Sequence, residues 1–359
     1  MSVKVGINGL GRIGRTVFRA ICDAGFLGRD IDVVAVANIS SDAGYLAYQI
    51  KYDSIHGRFG QQVKADKSDH SMNYPDTLVV GDHRIKCLPA SEDPAHLPWE
   101  RLGVDLVIES SGQFTDSGKA SGHLQGGAKK VIITAPGQGD VKTIVMGVNE
   151  DEYNPSEHHI ISAASCTMNA LGMIAHVLLK EGIGIETSIM TGINSYTSSQ
   201  RLVDGISKRE RRSGRAAAVN IIPTASSATK ITWEVFPGLK GRLAGISYRV
   251  PISDVSVIDL TFRSDRDSSI EEIDSLMKQA SETYLKGYLG YTDEELVSTD
   301  FINDIRSAIY DSEATIRSNL KDERRLFRII AWYDNEWGYA HRVVDMIRYI
   351  SNFNRSKKG

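Results

Sequence analysis

The sequence predicts an α/β chain of two domains: a doubly wound domain with a parallel sheet, followed by an α+β domain whose sheet is mostly antiparallel. Three observations lead there. The chain has 359 residues, and a prior of about 150 residues per domain suggests two. Up to about residue 165, short apolar runs alternate with helical patterns, as in repeated βαβ units. After about residue 185 the apolar residues change to a period of two.

The elements follow in order. Val3 to Ile7 and Asp32 to Ala37 read as the first two strands, with an amphipathic helix from Arg12 to Ala24 between them. Val104 to Glu109, Val131 to Ile133 and Thr143 to Met146 continue the series, and near-continuous apolar strands suit a parallel sheet covered on both faces. In Ser256 to Arg263, Ile258, Leu260 and Phe262 share one face while Asp259, Thr261 and Arg263 share the other, which predicts an antiparallel strand with one wet side. Ser269 with Glu272 three residues on predicts a capped helix start. The last helix, from about Tyr339, carries Val343, Ile347 and Ile350 on one stripe.

Composition excludes several classes of function. Hydrophobic residues at 41% and charged residues at 24% are the balance of a soluble globular protein. A net charge of -3 gives no global attraction to nucleic acid or acidic membranes. The three cysteines, Cys22, Cys87 and Cys166, have neither metal-site nor disulfide-framework spacing, which points to a reducing compartment and no metal. The first residues run straight into a strand, no apolar run reaches the ~20 residues that span a bilayer, and the last three are not a peroxisome-type tripeptide. The cytoplasm is expected, with a glycosomal location left open.

Gly9-Leu10-Gly11-Arg12-Ile13-Gly14 lies between the first strand and the first helix. In a dinucleotide fingerprint Gly9 permits the tight turn, Gly11 admits a pyrophosphate, and Gly14 lets helix and strand pack closely. The helix N-terminus then meets the negative charge. An acid normally ends the second strand and bonds the ribose; here the position is Asn38. A neutral amide loses a charge-assisted bond worth about 1 kcal/mol, and no longer repels a 2′-phosphate. NAD is the expected cofactor, with NADP tolerated. Cys166 stands just before the helical run Ala170 to Lys180, where helix-end amides favour a thiolate; taken alone, the position fits a buried structural cysteine better than a nucleophile.

Asn8 to Arg15, Ser165-Cys166-Thr167, Tyr248-Arg249-Val250-Pro251 and Tyr333 to Tyr339 together resemble the phosphorylating glyceraldehyde-3-phosphate dehydrogenases. The resemblance runs from about residue 3 to 350, and several segments look most like the longer form found in glycosomes. It implies a homotetramer with a Rossmann-type NAD-binding domain over 1–164, a catalytic domain over 165–335, and a C-terminal helix, 338–352, packed back on the first. It also implies that Cys166 attacks an aldehyde, and that inorganic phosphate cleaves the resulting thioester. Arg12 and Ile13 match positions at the cofactor, Asn335 the residue that orients the nicotinamide amide, and Ser91 and Thr134 complete the cofactor set. Thr197 and Arg249 match the substrate-phosphate site. Ser165, Thr167, Ser226 and Ser227 match the site of attacking phosphate, with Arg212 as a further ligand or a solvated loop residue.

The chain also departs from the family pattern. The family has His-Ser-Tyr-Thr where this chain has Asn194-Ser195-Tyr196-Thr197. Asparagine cannot accept a proton near pH 7, and a positioned base is worth ~10²–10⁴-fold. His176, ten residues beyond Cys166 on the same helix, sits ~15 Å further along and is read as a packing or surface residue. Ser227, Met168 and Gln113 replace the family's glycine, threonine and leucine. Reduced activity is therefore expected. The alternatives are a catalytically silent NAD-binding paralogue with a scaffold or regulatory role, and an erythrose-4-phosphate dehydrogenase.

Overall fold

A computed structural model describes residues 2–68, 75–207, 210–226 and 228–356. The chain divides into two compact units, one made of Met1–Ile144, Glu150–Ala164 and Ala340–Gly359, the other of Val145–Asn149 and Ser165–Tyr339.

In the first unit the order is β1 (Val3–Asn8), α1 (Arg12–Asp23), β2 (Ile31–Asn38), α2 (Ala43–Lys51), β3 (Tyr52–Asp53), β4 (Gly57–Arg58), β5 (Val63–Asp66), β6 (Thr77–Val80), β7 (His83–Pro89), α3 (Trp99–Leu102), β8 (Leu106–Glu109), α4 (Ser117–Gln125), β9 (Lys130–Ile133), β10 (Lys142–Thr143) and β11 (Ile160–Ser162). Nine strands form one sheet in the order β10-β11-β9-β8-β1-β2-β7-β6-β5. The centre is parallel, β1 pairing with β2 on one side and β8 on the other. Its strands are apolar because both faces are covered: Val5, Ile7, Val107, Ile108, Ile132 and Ile133 are all fully buried. Each such burial contributes about 1.5–3 kcal/mol.

Two features differ from the sequence reading. β5, β6 and β7 meander antiparallel at one edge, so the sheet is mixed. The strand expected over Thr143 to Met146 ends at Thr143; the Ile144 amide still bonds the Ser162 carbonyl at 2.9 Å, and Ile144, Val145 and Met146 are buried beyond the strand, because apolarity marks burial rather than strand.

The second unit contains α5 (Cys166–Lys180), β12 (Thr187–Ser195), β13 (Ile222–Ala225), α6 (Ala228–Val235), β14 (Leu243–Val250), β15 (Ser256–Arg263), α7 (Ile270–Glu282), β16 (Leu289–Thr292), β17 (Ala308–Arg317) and β18 (Leu326–Tyr333). Its sheet runs β13-β14-β12-β15-β18-β17-β16. It is mostly antiparallel, with parallel pairs at β12/β14 and β16/β17. On β15, Ile258, Leu260 and Phe262 are buried while Asp259, Thr261 and Arg263 are partly exposed. Ser269 caps α7, its hydroxyl accepting from the Glu272 amide at 3.2 Å. Glu272 does not return the bond as a capping box would. Its carboxylate bonds Arg266 and Ser268, and a guanidinium is the stronger partner.

The last helix, α8 (Trp337–Ser356), belongs to the first unit from Ala340 onward. Val343, Ile347 and Ile350 form its buried stripe. Arg348 stacks 4.1 Å over the Phe26 ring and bonds Asp30 at 3.2 Å. Among the described residues no helix is long and apolar enough to cross a membrane.

Candidate active site

In the first unit, Gly9 adopts φ +93°, and a Cβ there would come within 2.6 Å of the Ser111 amide nitrogen. A Cβ at Gly14 would come within 2.0 Å of the Gly9 carbonyl oxygen, so helix and turn could not pack. Gly11 has nothing near its missing Cβ, which leaves room before the first-turn amides of α1. That is the cradle a pyrophosphate requires, and it fits a dinucleotide. Asn38 lies at the end of β2 against this turn, its Oδ1 accepting from the Leu10 amide at 3.1 Å and its Nδ2 donating to the Ser40 carbonyl at 3.3 Å.

Arg12, the first residue of α1, puts a positive charge at the positive end of the helix dipole. Asp53 offsets it with a two-pronged pair to the guanidinium. Burial would raise the Asp53 carboxyl, but Arg12 and the amides of His56 and Ile55 hold it down to about 2. Ile13 is half-buried. Ser91 Oγ donates to the Asp93 carbonyl at 2.7 Å, and Thr134 Oγ1 to the Glu109 carbonyl at 3.1 Å. Gln113 is exposed.

Below the glycine turn lies a polar chain that the sequence reading missed. Trp99 Nε1 donates to His123 Nδ1 at 3.0 Å, and His123 Nε2 meets Glu109 Oε2 at 2.8 Å. The indole can only donate, so His123 is neutral, with its proton on Nε2 and directed at the carboxylate. Glu109 also accepts from Asn8 Nδ2 at 2.6 Å and from the amide and hydroxyl of Ser111. Glu109 and His123 have fully buried side chains. An acid closing the apolar strand Leu106–Glu109 was the available signal.

In the second unit, Cys166 is the first residue of α5, preceded by Ala164 at φ +57° and by Ser165, whose hydroxyl accepts from the Met168 amide at 3.1 Å. Cys166 is half-buried, whereas Cys22 and Cys87 are buried. Burial pushes the Cys166 thiol above its ordinary value; Arg249 and the amides of Thr167 and Cys166 oppose this without overcoming it. The helix end therefore does less for the thiolate than its position suggested. Burial carries Cys22 and Cys87 up to about 12.

Asn194, buried near the end of β12, accepts from the Tyr333 hydroxyl at 2.9 Å, and Tyr333 Oη lies 3.0 Å from Thr167 Oγ1. Arg249 sits opposite Asn194 in the β12/β14 register and donates to the Ser195 carbonyl at 2.9 Å. Asn335 Oδ1 accepts from Ser195 at 3.0 Å and Ser256 at 2.7 Å, which leaves its amino end for other partners. A cleft of about 280 Å³ is lined by Arg249, Ser199, Gln200, Glu210, Ser213 and Thr224, among others. Gln200 Nε2 is buried there without a hydrogen-bond partner among the described residues.

With this geometry in hand, similarity settles the family. Residues 3–117 match the family described as "Glyceraldehyde 3-phosphate dehydrogenase, NAD binding domain", and residues 165–335 match "Glyceraldehyde 3-phosphate dehydrogenase, C-terminal domain". The chain belongs to the glyceraldehyde-3-phosphate dehydrogenase family. The glycosomal glyceraldehyde-3-phosphate dehydrogenase of Crithidia fasciculata is 59% identical over 99% of this chain and 98% of its own length. The glyceraldehyde-3-phosphate dehydrogenase of Treponema pallidum is 49% identical over 97% and 99%, and the cytosolic one of Chlamydomonas reinhardtii 45% over 97% of each.

Of the other residues marked in the sequence, Thr197 is exposed, its hydroxyl 2.8 Å from Ser199. Ser226 is half-buried just beyond β13. Ser227 lies outside the described residues. Arg212 stands on the exposed turn Arg211–Gly214 and does not line the cleft. Met168 is fully buried and accepts from Thr232 at 3.4 Å; two residues past Cys166, the helix carries it to another face. His176 packs edge-on against Tyr284 at 6.0 Å. Tyr333 opens the Tyr333 to Tyr339 motif, which by itself assigns it no role. Gln200 and Glu210 had no motif to mark them.

Proposed function

We propose that this chain is an NAD-dependent, phosphorylating glyceraldehyde-3-phosphate dehydrogenase of reduced activity. The observation that carries this is Cys166 itself: half-buried, in the first turn of α5, with the Arg249 charge acting on it. Cys166 attacks the aldehyde carbon as the minor thiolate form, its proton having gone to solvent, and Asn194 can only donate a hydrogen bond from its amino end to the oxygen of the adduct. When bound, NAD supplies the acceptor for the hydride that leaves the Cys166 adduct. The turn at Gly9, Gly11 and Gly14, with Arg12, Ile13 and Asn38, is suited to hold the dinucleotide, with Ser91 and Thr134 beside it. The amino end of Asn335 orients the nicotinamide amide. Inorganic phosphate then attacks the thioester carbon and releases the thiolate of Cys166. Ser165, Thr167, Ser226 and Ser227 serve that phosphate; Thr197 and Arg249 serve the phosphate of the substrate.

The first unit corresponds to an NAD-binding domain, 1–164 with helix 338–352, and the second to a catalytic domain, 165–335. A homotetramer is proposed on the apolar side chains left exposed at Leu202, Val203, Ile206, Val219 and Ile221. The cytoplasm is proposed as the compartment, since all three cysteines are free thiols; fluorescence microscopy of the tagged chain against a glycosomal marker tests it.

The activity test is NADH formation by the purified protein with glyceraldehyde 3-phosphate, NAD and inorganic phosphate. The expected result is slow turnover that iodoacetamide abolishes and that erythrose 4-phosphate supports less well. The second reading, a silent NAD-binding subunit, rests on Asn194 and the burial of the thiol, and predicts NAD binding without NADH.

A further inference from the structure

We propose that Glu109 is a positioning residue for the dinucleotide, its Oε1 fixing the 110–113 turn against the Gly9 turn while its Oε2 serves the core beneath. This role rests on the reading of the glycine turn as the NAD cradle. In the sheet β1 has β2 on one side and β8 on the other, so the strand order reverses between β1 and β8. The crevice outside the strand ends at such a reversal is where α/β sheets take dinucleotides. One wall is the Gly9 turn leaving β1, and the other is the 110–113 turn leaving β8; Asn8 and Glu109 are register partners at their roots. The Ser110 amide donates to the Asn8 carbonyl at 2.8 Å and its hydroxyl to the Gly9 carbonyl at 2.6 Å, so the walls touch at their base. Gly112, like Gly11, has nothing near its missing Cβ, which leaves the crevice open above.

The four lone-pair positions of the Glu109 carboxylate are all taken, so none is left for a ligand. Oε1 accepts from the amide of Ser111 at 2.8 Å and from its hydroxyl, and Oε2 from Asn8 Nδ2 at 2.6 Å and His123 Nε2 at 2.8 Å. The Ser111 hydroxyl in turn accepts from the Gln113 amide at 3.2 Å, which carries the hold across Gly112 at φ +71°. Bonds to a buried anion are stronger than neutral ones, and losing a partner is costly, so the turn is held by charge. The donors on Oε2 come from β1 and α4 instead. A glutamine at 109 could accept on one side only. Its oxygen would stay with the two side-chain donors, and its amino group would then face the Ser111 amide, donor against donor.

Calorimetric titration with NAD and amide hydrogen exchange of the free protein test this without aldehyde or turnover. Glu109→Gln should raise the NAD dissociation constant about tenfold. Exchange at the Ser111 and Gln113 amides should become at least about tenfold faster, while the Val107 amide inside β8 stays as it was. Ser111→Ala should weaken NAD and loosen the Gln113 amide in the same way, with the melting temperature unchanged. His123→Leu separates positioning from stability: it should lower the melting temperature by several degrees and leave the NAD constant within about twofold. Unchanged exchange or unchanged affinity in Glu109→Gln would overturn the proposal. So would a His123→Leu protein that loses NAD as heavily as Glu109→Gln, since the network would then be structural only. A parent protein that takes up no NAD overturns the cradle reading and this role with it, whereas NAD uptake with unchanged exchange overturns the role alone. Should Glu109→Gln not fold, Ser111→Ala decides by the same two readouts.

Discussion

At the scale of single residues, position 194 decides most. If Asn194 stands where the family has its base, Asn194→His should raise turnover by at least about 10²-fold and add a near-neutral limb to the pH–rate profile. NAD affinity should stay nearly the same, because Asn194 faces Tyr333. Steady-state and single-turnover rates with calorimetric NAD titration check both parts; no gain, with Cys166 still alkylable, would favour the silent reading. Asn38→Asp is the cofactor counterpart. Its carboxylate can keep the Leu10 amide bond and still reach a ribose hydroxyl, so NAD should bind up to about tenfold tighter and NADP more weakly. Equal affinities in both proteins would show that Asn38 serves only the turn. These positions stood out because a polar residue sat where a pattern demands a particular chemistry. Tyr333 did not, since its contact with Asn194 depends on which strand faces it, and no local spacing records that.

Among elements, the start of α1 carries a specific liability. Arg12 loads a cation onto the helix end that repels it, and Asp53 at the β3 hairpin compensates. With the folded carboxyl held near 2 and the ordinary value near 4, this stabilisation is fully present above pH 4 and is lost as pH falls toward 2. Asp53→Asn should therefore cost about 1–2 kcal/mol at pH 7 and almost nothing at pH 2. Urea unfolding at the two pH values decides it, and an equal loss at both would show packing rather than charge. The strand–turn–helix around Gly9 was readable in sequence because glycine spacing, strand and helix are all local. The antiparallel edge β5 to β7 was not read, since short half-exposed strands carry little periodic signal. The lost capping box at Glu272 shows how Arg266 can redirect a side chain that a four-residue motif claims.

For the molecule as a whole, the two-unit division and both sheet types follow from the change of period in the chain, from continuous apolar runs to alternation. Assembly is where sequence is weakest. Leu202, Val203 and Ile206 look like loop residues in the one-letter string, and only their exposure in the fold marks them as a surface wanting a partner. Light scattering should give a mass of about four chains, and the double change Leu202→Glu with Ile206→Glu should lower it. A monomer in the parent protein would remove the tetramer.

The Trp99–His123–Glu109–Asn8 chain constrains the order in which this sequence can change over time. Each member satisfies the next, so replacing one strands a buried donor or acceptor at a cost of about 1–3 kcal/mol. A domain with only about 5–15 kcal/mol in hand tolerates few such intermediates. Replacing partners together by apolar groups of similar shape is far milder. Drift beneath the glycine turn is thus expected in correlated jumps, with single steps closed off even where their double-step end points are stable. A cycle of Trp99→Phe and His123→Leu would read this directly, as a double variant more stable than the sum of its single losses.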